Sequence, residues 1–173
     1  MVKCEHDGDY GPPWEACDGH GPVSEWTTRE NRAGEMVLTT DHGRHRFYDF
    51  AGAVKLARRD GWDTPPYQTD TAGERAHRAA TADYEYLHRW CADLWSYIGV
   101  CVMVSRNGEE IGSDSLWGVE SDGDYWQEVA VEMIEGIVSG YEQHRKATAV
   151  AKRKETCERH YWEARGVLTM RTA

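Results

Sequence analysis

Phenylalanine is nearly missing from this chain: it has two, against eight tryptophans and nine tyrosines. A core short of Phe must be built from Trp and Tyr, whose N–H and O–H groups need partners when buried. Many of these rings are therefore expected at the core's edge or at an interface. No apolar run approaches the roughly 20 residues needed to cross a bilayer as a helix. The first residues, MVKCEHDGDY, carry no hydrophobic signal segment. The expectation is a cytosolic protein whose five cysteines are reduced. Cationic side chains are also scarce, 20 Lys and Arg against 30 Asp and Glu, for a net charge of -10. That balance argues against nucleic acid as a direct partner. The G-x-S-x-G elbow, the P-loop, H-E-x-x-H and the dinucleotide fingerprint are all absent, so no motif names an activity.

What is present is organised around residues 95–141. Ile98, Val100, Val102 and Val104 fall on one face of a strand, and Tyr97, Cys101 and Met103 on the other. A strand apolar on both faces belongs in the centre of a sheet. Asn107-Gly108 then predicts a hairpin, with the return strand carrying Ile111 and reaching Leu116 to Val119. Ser121 is the expected N-cap of a helix in which Trp126, Val129, Ala130, Met133, Ile134, Ile137, Val138 and Tyr141 form one apolar stripe.

Upstream, residues 1–34 lack periodicity and are punctuated by Gly and Pro, with Trp14, Val23 and Trp26 as anchors. They read as an ordered flap, since a disordered segment would hold few aromatics. A second hairpin is expected around Asp41-His42-Gly43-Arg44. Asp49 should cap a following helix that stops at Gly61, with Trp62 folding back on Leu56 or Ala57. Pro65-Pro66 mark a loop. Thr71 and Glu74 fit a capping box for a helix running to about Leu94. Its expected buried stripe is Ala76, Ala80, Tyr84, Leu87, Cys91 and Leu94, with Arg75, Arg78, Asp83, Glu85 and Arg89 solvated. The order is flap, ββ, α, α, ββ, long α. The fold class expected is α+β, an antiparallel sheet of two β-hairpins with helices on one side and a long C-terminal helix. One domain is expected: a flap over 1–34, a core over 35–139, and an extended basic helix over 140–170.

Four patterns could carry chemistry. Cys4, His6, Cys17 and His20 supply thiolates and imidazoles, the usual ligands of structural zinc, and would give the flap a means of ordering itself. In the plainer reading Cys4 is a surface thiol and His20 caps a turn. Asp-Gly-Asp-Tyr occurs at 7–10 and at 122–125 and could hold a divalent cation; Asp and Gly are also ordinary turn residues. Eight histidines are available as bases, but a base needs a positioned partner. Lastly, residues 107–135 hold nine carboxylates and no Lys or Arg. A carboxylate line of this kind can imitate a phosphate backbone and occupy a basic groove. An ordinary solvated helix face is the plainer reading here.

PPWEACDGHGPVSEWTTR, RFYDFAGAVKLARRDGW, the stretch from TAGERA to WCADLW, and SYIGVCVMVSRNG with DSLWGVESDGDYWQEVA together resemble a family of small acidic, Trp-rich proteins of bacteriophages, prophages and mobile elements. The resemblance spans roughly residues 7–139. It implies an accessory protein in the bacterial host cytoplasm, and it carries over no catalytic residues.

The leading expectation is a non-enzymatic binding protein that occludes a host nucleic-acid enzyme or defence complex. Trp117, Glu120, Asp122, Asp124, Glu128 and Glu132 would meet the basic surface of the host protein. The first alternative is a small metal-dependent enzyme with its site at the Cys/His flap. The second is a self-assembling structural protein, a homodimer through the C-terminal helix. Either no cofactor or a structural zinc is expected, and neither nucleic acid nor membrane is an expected partner.

Overall fold

A computed structural model of the chain describes residues 1–62 and 70–166. It is α+β, with five strands in two sheets and four helices. In chain order these are β1 (Val2–His6), α1 (Pro13–Ala16), β2 (Glu35–Asp41), β3 (Arg44–Asp49), α2 (Phe50–Asp60), α3 (Ala72–Cys91), β4 (Tyr97–Arg106), β5 (Glu109–Glu120) and α4 (Tyr125–Ala164). The two hairpins form separate sheets. One is β2-β3; the other has the order β1-β4-β5, with the apolar strand β4 central as its composition requires. Strand β1 was not legible as a strand, because residues 2–6 offer only Val2 and Cys4 as apolar side chains, both exposed, and only Glu5 is even half-buried. Among the described residues no helix is long and apolar enough to cross a membrane.

The chain forms two compact units, neither continuous in sequence. The larger holds residues 6–98 and 117–123. Here the first hairpin turns at His42 and Gly43, both at positive φ (46° and 76°), as a two-residue turn demands. Asp49 caps α2 by accepting from Gly52 N–H, and α2 ends at Gly61 in the left-handed region. Gly61 and Trp62 N–H both donate to the Ala57 carbonyl, at 3.0 and 3.2 Å. The capping box of Thr71 and Glu74 is complete. Ala57 of α2 clusters with Ala76 and Ala79 of α3, small side chains that bring the two helices close. Leu38, Tyr48, Ala53, Ala80 and Leu87 form the buried cluster, and Trp14, Val23 and Trp62 pack on its rim. Tyr48, Tyr84, Tyr86 and Trp95 each place their polar atom on a hydrogen-bond acceptor.

Four expectations fail in this unit. Helix α3 ends at Cys91, not Leu94; Asp93 turns the chain at φ 55°, and Leu94 is 65% exposed. Arg78, expected in solvent, is two-thirds buried and ion-paired with Asp70. Asp83 is buried, its side chain 8% exposed. Ser121 caps no helix: its hydroxyl accepts Ser96 N–H at 2.9 Å, and Asp124 takes the N-cap position. The Pro65-Pro66 loop lies outside the described residues.

The smaller unit holds residues 1–5, 99–116 and the described residues from 124 onward. Val100 and Val102 are buried while Met103 on the opposite face is 39% exposed, so this part of β4 is covered better on one side than on the other. Helix α4 runs 40 residues, about 60 Å, passing through Gly136 and Gly140 without a break. Val129 and Ala130 are its buried residues. Gly112 of β5 lies under Ile137: a Cβ there would stand 2.7 Å from the Ile137 methyl group, so only glycine permits this approach. Beyond Tyr141 the helix is exposed at nearly every position.

Candidate functional site

Within the larger unit, an open pocket of about 640 Å³ is lined by Cys17, His20, Trp62, Asp83, Tyr86 and Glu120, among others. Its polar core begins at Asp83. One carboxylate oxygen accepts Gly21 N–H at 2.8 Å and the Tyr48 hydroxyl at 2.6 Å. The other stands 2.6 Å from His20 Nδ1. A carboxylate already taking two donors is an acceptor, so Nδ1 carries the hydrogen and Nε2 is the nitrogen left for other chemistry. Burial, followed by the Asp83 contact, pushes the Tyr48 hydroxyl far above its ordinary value and keeps it a donor.

His20 stacks on Tyr86, ring centroids 5.5 Å apart and planes 10° from parallel. The Tyr86 hydroxyl donates to Glu120 at 2.7 Å. Burial first and the Glu120 carboxylate second hold that phenol well above the ordinary range. Its neighbour Tyr97 is raised chiefly by burial, and its hydroxyl lies 3.8 Å from Cys17 Sγ. Cys17, exposed at the end of α1, and Glu120, near the end of β5, thus each meet a tyrosine kept protonated by burial. An Asp-held imidazole beside a thiol and a carboxylate is an arrangement that can move a proton.

The four proposed zinc ligands are not gathered. Cys4 lies exposed on β1, and His6 ends that strand, also exposed. Only Cys17 and His20 share a pocket. Among the described residues no group of three or more His, Cys, Asp or Glu side chains is placed to hold a metal ion. Hydrogen bonds organise the flap instead. They include the Asp83 contacts, the Val23–Tyr48 and Thr27–His45 bridges, and the exchange between Ser24 and Phe47. The first Asp-Gly-Asp-Tyr is structural: Asp7 is buried and accepts Asp9 and Gly118 N–H.

The six residues expected to bind a partner divide between the units. Trp117, Glu120 and Asp122 belong to the larger. Trp117 is 48% exposed, but Glu120 is engaged by Tyr86 and Asp122 pairs with Arg89 at 2.9 Å. Asp124, Glu128 and Glu132 belong to the smaller unit, and all three are exposed. The sequence reading missed Asp83, Tyr86 and Tyr97. A carboxylate flanking an Ala stripe on a helix was the one available signal, and it reads by default as solvated.

No family model, no curated protein and no solved structure matches the chain.

Proposed function

We propose that the chain is a phage accessory protein that acts by binding, occupying the basic surface of a host nucleic-acid enzyme or defence complex. The observation that carries this reading is the first half of α4. Glu128, Glu132 and Glu135 are exposed, and among the described residues none has an ion-pair partner. Glu128 and Glu132 stand at i, i+4, where like charges cost a helix about 0.2–0.5 kcal/mol. Val131, 53% exposed, stands three residues after Glu128 and four before Glu135, next to both on the helix surface. Unbalanced carboxylates beside an exposed apolar group weaken an isolated helix and suit a basic partner. The likeness to acidic phage proteins supports the same context, the cytoplasm of a bacterial host.

The test is capture of the partner from host lysate by the wild-type chain and by Glu128→Lys/Glu132→Lys. The expected result is a nucleic-acid enzyme or defence component that wild type retains, that DNA displaces, and that the variant loses at low salt without a change in Tm. Equal retention by the variant, or indifference to DNA, would sink the proposal.

Two other readings each have one observation behind them. The Asp83-held His20 favours a small enzyme working at the flap pocket. Ester hydrolysis that is lost in His20→Ala while Tm is kept would bear it out, and unchanged hydrolysis rejects it. The reversal of charge along α4, acidic to residue 142 and rich in Lys and Arg from Arg145 to Arg159, favours antiparallel pairing with a second copy. Sedimentation before and after truncation at Tyr141 should then show a dimer becoming a monomer.

A further inference from the structure

Arg46 of β3 is largely withdrawn from solvent in an aromatic cleft and has no close-fitting anion. Its side chain is 16% exposed. The guanidinium carbon lies 5.3 Å from the Trp14 ring and 5.2 Å from the Trp26 ring. Its Nε atom is buried and has no hydrogen-bond partner. The nearest carboxylate, Glu15, stays 3.9 Å away and is itself 59% exposed. That separation is too long for the forked, two-bond contact that Arg makes with a carboxylate.

The other ionisable group at the cleft does not compensate. Burial pushes the Cys91 thiol up to about 11, overriding the opposite pull of Arg46, so it stays neutral. Cation–π contact with two Trp rings returns about 0.5–2 kcal/mol, less than a buried guanidinium loses in leaving water. Trp90 meets Trp14 edge-on at 5.4 Å and adds a third aromatic wall. The cleft measures about 250 Å³, with Pro12, Thr39 and Cys91 completing its lining. That is below the size of an ordinary drug-like site, roughly 300–1,000 Å³, and suits a single planar group.

We infer that this cleft binds a small carboxylate with an aromatic or apolar body, its carboxyl on Arg46 and its body among Trp14, Trp26 and Trp90. The guanidinium fork fits a planar carboxylate, and the indoles fit the flat group that carries it. The carboxylate can belong to a free acid or to the C-terminal residue of a peptide. The inference uses none of the α4 carboxylates and stands or falls apart from the proposed function.

Phenylacetate, its neutral amide phenylacetamide, N-acetyl-Gly-Phe and N-acetyl-Gly-Phe-amide are titrated into the full chain, following tryptophan fluorescence and the indole N–H signals by NMR. Phenylacetate is expected to bind at least about tenfold more tightly than its amide, the worth of a charge-assisted fork. The indole signals of Trp14, Trp26 and Trp90 should move, and that of Trp117 should not. Tighter binding of N-acetyl-Gly-Phe than of phenylacetate assigns the site to peptide C-termini; the reverse assigns it to free acids. Arg46→Met should abolish the preference for the acids over their amides. If that variant is unfolded, Arg46→Lys keeps the charge without the fork and should narrow the preference several-fold. Equal affinity for acid and amide, no binding up to about 10 mM (near the weakest range worth calling specific), or shifts confined to other indoles would overturn the inference.

Discussion

His20 Nδ1 stands 2.6 Å from an oxygen of Asp83, a residue 63 positions away in the chain. This contact fastens the N-terminal flap to α3 and fixes which imidazole nitrogen faces the pocket. The Asp83 carboxylate thus has three hydrogen-bond partners, Gly21 N–H, the Tyr48 hydroxyl and His20 Nδ1.

Asp83→Ala should therefore act as a core mutation. It strands the Tyr48 hydroxyl and Gly21 N–H in a nearly dry place, at an expected loss of about 2–4 kcal/mol in urea unfolding. Glu85→Ala, one turn face away and exposed, should stay within about 0.5 kcal/mol. Similar losses for both would mean that Asp83 is solvated after all.

Gly21→Ala should be damaging for a steric reason. A Cβ at this position would lie 2.5 Å from the Tyr48 hydroxyl oxygen and 2.6 Å from its ring. Tyr48 is fully buried and cannot swing aside. Overpacking of this kind costs about 1–3 kcal/mol, which a thermal melt would register as a clear drop in Tm.

Acid should weaken the fold partly through Glu35. Arg29 binds both of its oxygens, at 2.6 and 2.7 Å, and Arg32 N–H adds a third bond. The Arg29 contact first and the Arg32 N–H second hold the carboxyl down at about 2. In the unfolded chain it titrates at about 4.3. A depressed folded-state value means that the unfolded chain takes up the extra proton, so this stabilisation is full above about 4.3 and fades as pH falls toward about 2. The stability gap between wild type and Glu35→Gln should be constant above that window and shrink within it. A gap independent of pH would count against the pair.

The cysteines should separate by reactivity. Cys4, Cys17 and Cys157 are exposed, whereas the Cys91 thiol is raised to about 11 by burial. At pH 8 only about a thousandth of Cys91 is thiolate, the form that reacts. Iodoacetamide followed by peptide mass spectrometry should label the three exposed cysteines first, with Cys91 trailing. Early labelling of Cys91 would show that the Arg46 cleft opens readily.

The turn at His42 offers a stabilising change. His42 holds φ 46°, a left-handed conformation that Asn adopts with less strain. His42→Asn should raise stability by roughly 0.5 kcal/mol, measurable as a higher urea midpoint.

Much of this fold is written locally. The His42-Gly43 and Asn107-Gly108 turns, the Asp49 and Thr71 caps and the Gly61 stop each depend on residues within a few positions of one another. Backbone sterics and helix-end hydrogen bonds act over that range, so the sequence determined them by itself. The burial of Asp83, the release of Ser121 from capping, the separation of the two hairpins into two sheets and the failure of Cys4 and His6 to join Cys17 and His20 were decided only by tertiary structure. A carboxylate on a helix flank reads as solvated until donors arrive from a distant segment. Whether they arrive depends on how remote parts of the chain pack, and no short window of sequence records that.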